Sequence, residues 1–330
     1  MSAPKAILVA ILLLLAVVPL GATAATVVEE FQTNPIQRGW RALGETNLFR
    51  HDATNRVLQA TWDSSKPNSA YYHSLGTILS RSDDFRLRVV FKLNDLSIGN
   101  TPGKPYGFEL SLGFFNSERL IKTNFLRGSG INAATGPVNL AELVYFPDDG
   151  FGATFSPTLI SSNNQFATEF SFPLELDAGA DWDITLRYTA TNQTFETVAL
   201  RNGVHFGPIA SVVLRKVFND FRLDSAGIIS YSDQGSGGSV LAHAEVRRIE
   251  IETAAPPMLN FTLEAVGTNT ASVAFDSVAG WSYRVEQSAD LLQWQPMPGG
   301  TVPGTGQRAR MTVTNSIATG AFYRLATQRP

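Results

Sequence analysis

Two carboxylates at alternate positions, Glu175 and Asp177, have the spacing in this sequence that best suits acid–base chemistry. Alternate residues of a strand face the same side, and retaining hydrolysis of a glycosidic bond needs two carboxyl groups about 5–5.5 Å apart. No third carboxylate follows in residues 178–180, and Gly179 interrupts a strand pattern. We therefore interpret Glu175 and Asp177 as loop carboxylates that precede a strand at Trp182, with catalysis by this pair as the alternative.

Metal binding has candidates in two acidic turns. Asp148 and Asp149 precede Gly150, and Asp233 lies before a Gly-rich segment, so these turns could offer oxygens to calcium, which takes about 6–8 of them. Both segments are also ordinary turn sequences. The four histidines share no metal-ligand spacing. The sequence therefore predicts no cofactor, with calcium as the alternative.

An aromatic stretch from Trp62 to Tyr72 is the candidate for carbohydrate binding. Tyr71 and Tyr72 are adjacent, so in a strand they face opposite sides and one of them is expected to be exposed. An exposed ring can pack on the apolar face of a pyranose, and Asn68 and His73 could hydrogen-bond its hydroxyl groups. Core packing is the other interpretation of the same residues.

Strands must position these side chains, because apolar residues recur at every second position through most of residues 26–252. Five apolar residues of Phe85–Leu93 share one face, and Trp182–Tyr188 repeats the pattern. Only Ser117–Phe125 is ambiguous between a short helix and a strand with a loop. Many antiparallel strands in one unit predict an all-β, two-sheet jelly-roll sandwich.

A smaller unit is expected after a linker at residues 253–257, where two adjacent prolines cannot continue a strand ladder. Residues 258–330 then form the second unit, whose size and strand spacing predict a small fibronectin-III-like β-sandwich module. The strands predicted there are Leu259–Ala265, Ala271–Phe275, Trp281–Gln287, Arg308–Thr314 and Ala321–Leu325.

Composition excludes several classes of protein. The 330 residues are 44% hydrophobic and 17% charged, which suits a chain with a substantial core and not a disordered one. The net charge of -3 argues against a nucleic-acid partner. With no Cys, the chain cannot form disulfides, thiolate metal sites or a lipid-modified N-terminal Cys.

Residues 1–25 predict an export signal. One Lys precedes an apolar run from Ala6 to Leu20, and small residues follow it. The run is shorter than the roughly 20 residues that span a bilayer, so we expect cleavage before Ala25 or before Thr26. The mature protein is then expected to be secreted or extracytoplasmic, with no membrane span and with attachment to the cell surface left open.

Four segments of the first unit share their pattern with a known superfamily. They are Ala178–Tyr188, Asn202-Gly203, Phe221–Tyr231 and Val246–Ile251. The first resembles a strand of the concanavalin-A-like, or laminin-G-like, jelly-roll superfamily, in which a Trp begins a strand of alternating core residues. The others resemble the following hairpin and the closing strands. The resemblance covers residues 26–252 and implies a lectin-like jelly roll.

The second unit has two segments of its own that match a known pattern. Tyr283–Trp294 has the form Y-x-V-x-x-S-x-D-L-x-x-W, and Phe322–Leu325 reads F-Y-R-L. Both resemble a C-terminal β module of secreted proteins from environmental bacteria. The resemblance implies a stalk, an attachment module or a surface-retention element.

Three functions follow as expectations. The first is a secreted, non-catalytic binding or adhesion protein that recognises a polysaccharide, a cell-surface glycan or another surface polymer. The second is a divergent glycoside hydrolase or lyase that uses Glu175 and Asp177. The third is a purely structural component of the envelope. Fold resemblance alone does not decide among them.

Overall fold

The computed structural model describes eleven stretches of the chain. They are residues 25–98, 110–120, 138–148, 152–231, 240–253, 260–265, 270–277, 281–289, 293–297, 301–314 and 322–328. The export signal predicted before Ala25 and the prolines of the predicted linker lie outside these described residues.

The first unit is built from sixteen strands in the described residues. They are β1 Ala25–Glu29, β2 Trp40–Leu43, β3 Phe49–Asp52, β4 Val57–Asp63, β5 Ser69–Leu79, β6 Phe85–Ile98, β7 Leu110–Phe115, β8 Leu140–Phe146, β9 Thr154–Ile160, β10 Phe166–Thr168, β11 Asp181–Thr189, β12 Thr194–Arg201, β13 Val204–Phe206, β14 Val212–Val213, β15 Leu223–Ser230 and β16 Val240–Thr253. The one α-helix among the described residues, α1, is the single turn Ser117–Leu120, which agrees with the short-helix interpretation for that part of the segment. Residues 121–125 of the ambiguous segment lie outside the described residues.

These strands form two antiparallel sheets. The nine-stranded sheet runs β13-β12-β11-β6-β16-β4-β3, with β1 paired to β16 and β14 to β12. The seven-stranded sheet runs β10-β9-β8-β7-β15-β5-β2. From β4 to β7 the chain changes sheet at every step, and it does so again from β15 to β16. This is the predicted two-sheet jelly-roll sandwich, so the expected fold class is confirmed.

The two sheets pack face to face through aromatic side chains. The inner face of β6 buries every second residue from Phe85 to Leu93, as the alternation predicts. The ring centroids of Phe85 and Phe114 lie 4.7 Å apart across the two sheets, and those of Trp182 and Phe155 lie 6.3 Å apart. Burial of such large side chains supplies the main stabilisation of a sandwich without disulfides.

The first strand pairs with the last strand of this unit. Ala25 of β1 lies opposite Thr253 of β16 in the antiparallel register. Thr253, expected to begin the linker, therefore belongs to a strand, because its backbone continues the β16 ladder. Among the described residues, no helix has the length and apolar character needed to cross a membrane.

Charged side chains cover the outer face of the nine-stranded sheet. Arg88 donates to Asp183 with an Nη2–Oδ2 distance of 2.7 Å, and it also contacts Glu250. Arg86 contacts Glu250 as well and pairs with Glu252. The hydrogen bond to Asp183 raises the pKa of Arg88 above its usual value. These cross-strand pairs balance charge over a wet face, where each pair stabilises by a fraction of a kcal/mol to about 1 kcal/mol.

An ion pair with a buried carboxylate lies at one edge of the sandwich interior. Glu29, the last residue of β1, is fully buried, and its Oε1 accepts from the Arg38 guanidinium and from the Phe31 amide. Arg38 ends a 3-10 turn, Pro35–Arg38, that leads into β2 of the other sheet. This pair therefore links the two sheets at the point where the chain first crosses between them.

The second unit consists of two small antiparallel sheets. Its strands are β17 Thr262–Ala265, β18 Thr270–Asp276, β19 Ser282–Ser288, β20 Gln295–Pro296, β21 Val302–Pro303, β22 Arg308–Thr314 and β23 Phe322–Gln328. One sheet runs β17-β18-β22, and in the other β19 pairs with β20, β21 and β23. Phe275, Tyr283 and Val285 form its core, so Tyr283 of the matched pattern is a core residue. The likeness to fibronectin III stays a prediction.

The two matched segments of the second unit meet at one side chain. Arg324 of β23 binds the Glu286 carboxylate with an Nε–Oε2 distance of 2.8 Å and lies over the Trp294 ring, 4.4 Å from its centroid. Arg284 also pairs with Glu286. The Arg of F-Y-R-L and the Trp of the longer pattern therefore hold two strands and a loop together.

Replacing Arg38 with Met should lower the free energy of unfolding by about 2 kcal/mol, because it leaves the Glu29 carboxylate buried without its cation. The control is Arg247→Met, whose pair with Asp181 is about half exposed, and its effect should stay within about 0.5 kcal/mol. Urea denaturation followed by tryptophan fluorescence measures both. Equal effects of the two variants would contradict the role of the buried pair.

The Glu286 cluster should make the second unit sensitive to acid. Hydrogen bonds from Arg324 and then Arg284 lower the pKa of Glu286 below its usual 4.5. A lowered pKa in the folded state means that the stabilisation is present above pH 4.5 and is lost as the pH falls through the lower, folded value. Arg324→Gln should flatten this loss in thermal unfolding between about pH 3 and pH 6. An unchanged pH slope in that variant would refute the assignment.

Candidate functional site

The outer face of the seven-stranded sheet, which points away from the other sheet, has an unusual set of side chains. In register across the sheet, Tyr72 of β5 lies opposite Gly227, Gly227 opposite Gly113, Gly113 opposite Glu142, and Glu142 opposite Thr158. Their sequence neighbours face the sandwich interior. We call this line of residues the outer row. It combines an aromatic ring, bare backbone, a carboxylate and a hydroxyl.

Glu142 is the buried carboxylate of the outer row. It is fully buried in the middle of β8, among apolar neighbours. Its Oε2 accepts hydrogen bonds from Ser111 Oγ at 2.7 Å and from the Tyr231 hydroxyl at 2.6 Å. A buried charge is tolerated where such donors satisfy it, and these two donors also fix the carboxylate in one orientation.

Two glycines leave the centre of the outer row without side chains. A Cβ on Gly227 would lie 2.0 Å from the Tyr71 carbonyl oxygen, and one on Gly113 would lie 2.5 Å from Glu142 Cβ. Only glycine therefore fits at either position. With strands about 4.8 Å apart, Tyr72 and Glu142 stand about 14 Å apart across bare backbone.

Hydroxyl groups continue the outer face beyond Glu142. The Thr158 and Thr168 hydroxyls lie 2.9 Å apart, and Ser156 lies 2.8 Å from Thr168. Thr168 is half-buried on the edge strand β10, whereas the other two are buried. Each hydroxyl can donate and accept, so the cluster can rearrange its hydrogen bonds around a polar ligand at the edge.

Two exposed phenylalanines follow this edge strand. Ser171 pairs with Phe155 through two backbone hydrogen bonds of 3.0 Å, so Ser171 faces inward like Phe155. Phe170 and Phe172 then share the outer side, and they are 52% and 65% exposed. The Ala210 amide donates to Ser171 Oγ at 2.8 Å and fixes the segment further. We call Phe170 and Phe172 the aromatic pair.

The aromatic pair belongs to the same surface as the outer row. The Phe170 ring centroid lies 6.3 Å from that of Phe146, an outer residue of β8. Phe146 and Glu142 face the same side of that strand because they are four residues apart. The candidate site therefore runs from the exposed aromatic pair, over the hydroxyl cluster, to the buried carboxylate.

The aromatic residues expected from the sequence lie mostly inside the sandwich. Trp62 is fully buried and Tyr71 is 3% exposed. Trp40 stacks on Tyr71 with ring centroids 5.1 Å apart. Trp62 and Tyr71 therefore cannot present a ring to a sugar, because both point between the sheets. Burial also raises the pKa of Tyr71, and the nearby Glu29 carboxylate adds to the rise.

The other three residues of that stretch are not brought into one site. His73 faces inward with Tyr71, and its Nε2 donates to the Arg38 carbonyl at 3.1 Å. Tyr72 faces outward as the alternation predicts, half-buried against Phe115. Asn68 lies in the loop before β5. Of the five expected residues, Tyr72 is the one that the register places on the outer row.

Glu175 and Asp177 hold the loop that leads into β11, as the loop interpretation expects. Glu175 accepts from the Tyr145 hydroxyl at 2.9 Å, and Asp177 pairs with Arg201. The Asp177 carbonyl accepts from Trp182 Nε1 at 3.2 Å. Burial raises the pKa of Tyr145, and the hydrogen-bonded Glu175 contributes to the rise. Each carboxylate therefore has its own partner on a different element.

The acidic turns give no metal geometry in the described part of the chain. Asp148 is exposed, and its Oδ1 accepts from the Gly152 amide at 2.9 Å, which is a turn contact. Asp149 and Asp233 lie outside the described residues. Within the described ranges, no group of three or more His, Asp or Glu side chains could hold a metal ion. Calcium binding stays an untested prediction.

Sequence reasoning missed Glu142 and the aromatic pair. A single carboxylate within the apolar run Leu140–Phe146 indicates a buried, hydrogen-bonded group, and that signal was available. Phe170 and Phe172 alternate around a serine, which is the pattern of a strand with one apolar side. Nothing in the sequence states that this apolar side would be the exposed one.

Comparison with known proteins found similarity to solved structures only. No model of a protein family matches the chain, and no curated protein matches its sequence. Among solved structures, basic winged bean lectin with Tn-antigen is 12% identical with a TM-score of 0.45, covering 71% of this chain and 100% of its own. Peanut lectin with a nine-residue peptide is 14% identical with a TM-score of 0.45, and the match covers 72% of this chain and 100% of the lectin. A legume lectin-like domain from Entamoeba histolytica is 11% identical with a TM-score of 0.42, and the match covers 68% of this chain and 95% of that domain.

Removing one donor to Glu142 should destabilise the protein. Tyr231→Phe deletes a hydroxyl that binds a buried carboxylate, and we expect a loss of about 1–3 kcal/mol in the free energy of unfolding. Tyr72→Phe is the matched control on the same face, with an expected change within about 0.5 kcal/mol. Chemical denaturation of both variants measures the difference. A Tyr231→Phe protein as stable as the control would show that Glu142 does not depend on this donor.

Proposed function

We propose that this chain is an extracytoplasmic protein that binds carbohydrate without catalysis, through the outer face of the seven-stranded sheet. The observation that carries the proposal is the aromatic pair, which lies exposed beside the hydroxyl cluster on that face. Exposed apolar rings on a rigid segment are costly to leave in water and are typical of a binding surface.

The chemistry of a sugar suits this combination of groups. One face of a pyranose ring carries C–H groups that pack against the electron-rich face of an aromatic side chain. The sugar's hydroxyl groups need donors and acceptors at the rim of that contact, which Thr168 supplies at the half-buried edge. The Ser171–Phe155 backbone pairing holds both rings before a ligand arrives, which lowers the entropy lost on binding.

Binding without catalysis is better supported than hydrolysis by Glu175 and Asp177. Their carboxylates are engaged by Tyr145 and Arg201, which lie on different strands. Glu142, the carboxylate on the outer row, is held by two hydroxyl groups. A retaining mechanism needs two carboxyl groups on either side of one bond, and these contacts supply no such pair.

The remaining parts of the proposal concern location and attachment. The apolar segment before Ala25 supports export. The two predicted cleavage sites, before Ala25 and before Thr26, coincide with the start of the β1 ladder. Residues 258–330 are then a spacer or surface-attachment module. Neither role requires a metal ion. If calcium is needed after all, EDTA will abolish glycan binding, and unchanged binding will overturn that alternative.

Phe170→Ala with Phe172→Ala should reduce glycan binding by about tenfold or more, because both stacking surfaces are lost. A glycan array followed by calorimetry on the best ligand measures the affinity. Phe322→Ala is the control, since Phe322 is 49% exposed on the second unit. Thermal unfolding should be nearly unchanged in all variants because the rings are exposed.

Two results would count against this function. One is a folded wild-type protein that binds no glycan on the array. The other is a double variant that binds as tightly as the wild type. Release of reducing sugar by the wild type, assayed on the same ligands and lost in Glu175→Gln or Asp177→Asn, would instead favour the hydrolase alternative.

A further inference from the structure

The edge strand of the seven-stranded sheet continues in line into the aromatic pair. β10 pairs with β9 in a register that places Phe166 opposite Ile160. Beyond the end of β10, the bridge between Ser171 and Phe155 keeps that same register. The backbone therefore runs along β9 without a shift from Phe166 to Phe172.

Four side chains point outward along this stretch, because alternate residues of an extended chain share one side. They are Phe166, Thr168, Phe170 and Phe172, and we call them the edge strip. Phe166 packs against the outer apolar cluster that contains Phe115, which fixes the direction of the whole set. Successive members are two residues apart, so the edge strip is about 20 Å long.

Thr168 supplies a polar contact within the edge strip. Its Oγ1 lies 2.9 Å from the Thr158 hydroxyl and 2.8 Å from that of Ser156. It also donates to the Pro157 carbonyl at 2.9 Å. These neighbours hold the hydroxyl between two aromatic rings of the strip, where it can accept a hydrogen bond from a ligand.

The backbone beside the edge strip is covered by another segment of the chain. The Ala210 amide donates to Ser171 Oγ at 2.8 Å, and β14 contacts β10. A peptide that adds a strand to a sheet needs an open row of backbone groups at the edge, and this segment occupies that place. The accessible feature is therefore the row of side chains.

We infer that the ligand is an extended, linear polysaccharide, which lies along the edge strip and is held by internal sugar units rather than by a chain end. This inference rests on the proposed function and names the ligand class of the same surface. A row of contacts suits a polymer, because its successive units present the same chemistry along one direction. Phe170 and Phe172 are 52% and 65% exposed, so neither ring lies in a closed pocket that would enclose a terminal sugar.

Binding along a row should strengthen as the oligosaccharide becomes longer. A disaccharide covers only part of a strip of about 20 Å, whereas a longer chain reaches Thr168 and both exposed rings at once. One further aromatic contact is enough for up to about tenfold in affinity. The gain should stop once the chain is longer than the strip.

The test is a length series of defined oligosaccharides. Linear gluco-, manno- and xylo-oligosaccharides from the disaccharide to the hexasaccharide are the probes, and each hexasaccharide is also used with its terminal unit reduced by borohydride. Calorimetry measures their affinity for the wild type, Phe172→Ala and Thr168→Val. Phe322→Ala is the matched control, and light scattering of the same samples measures self-association.

The wild type should bind the hexasaccharide of its best series about tenfold or more tightly than the disaccharide. Reduction of the terminal unit should change that affinity by less than about twofold. Phe172→Ala should weaken hexasaccharide binding by about tenfold and flatten the length dependence, and Thr168→Val should weaken it by about threefold. Phe322→Ala should do neither.

Two results would overturn the inference while carbohydrate binding at the aromatic pair stands. One is a wild type that binds the disaccharide as tightly as the hexasaccharide, with that binding lost in the Phe170→Ala, Phe172→Ala protein. The other is a hexasaccharide that no longer binds when its terminal unit is reduced, which would indicate recognition of the chain end.

Failure of the proposed function gives a different result. A folded wild type that binds no oligosaccharide and no polymer of the three series or of the glycan array would refute both the function and this inference. Self-association that disappears in the Phe170→Ala, Phe172→Ala protein would identify a second copy of the chain as the occupant and would also refute both.

Discussion

The pairing of β6 with β16 is the constraint on which the rest of the sandwich depends. Both strands are 14 residues long, and they pair from Val240 opposite Ile98 to Thr253 opposite Phe85. Strand β11 pairs with β6, and β4 and β1 pair with β16. The remaining strands of the nine-stranded sheet are attached through β11 and β4. The inner faces of β6 and β16 also pack against the seven-stranded sheet. Loss of this pairing would divide the nine-stranded sheet into two parts.

The two sheets use their outer faces in different ways. The nine-stranded sheet covers its outer face with cross-strand ion pairs, such as Arg88 with Asp183, which makes it polar and electrically balanced. The seven-stranded sheet buries Glu142 under hydroxyl donors and exposes Phe170 and Phe172 at its edge. The ion pairs of the nine-stranded sheet favour contact with water, and the exposed rings of the seven-stranded sheet favour contact with a ligand.

Period-two alternation predicted the fold because it is a local property. The sequence of Phe85–Leu93 fixes which side chains share a face, and the structure confirms that grouping. The candidate site depends on register instead. Glu142, Gly113 and Gly227 are distant in sequence, and only the alignment of three strands makes them neighbours. Pairwise strand register is set by packing over the whole sheet, which no local pattern contains.

Burial separates the two interpretations of the aromatic stretch, because Trp62 and Tyr71 lie in the core. Tyr71 and Tyr72 do face opposite sides, as adjacent strand residues must. Facing outward does not by itself mean facing water, since Tyr72 is half-buried against Phe115, and alternation cannot distinguish the two cases. Exposure occurs instead at Phe170, just past the edge strand β10.

The position of β1 has a consequence for the order of events in synthesis. Its partner, Thr253 of β16, is made after nearly all of the first unit, so the ladder that starts at Ala25 cannot form early. The first strand therefore has no partner to pair with until more than 220 residues have followed it. The cost of closing so long a loop delays completion of the nine-stranded sheet.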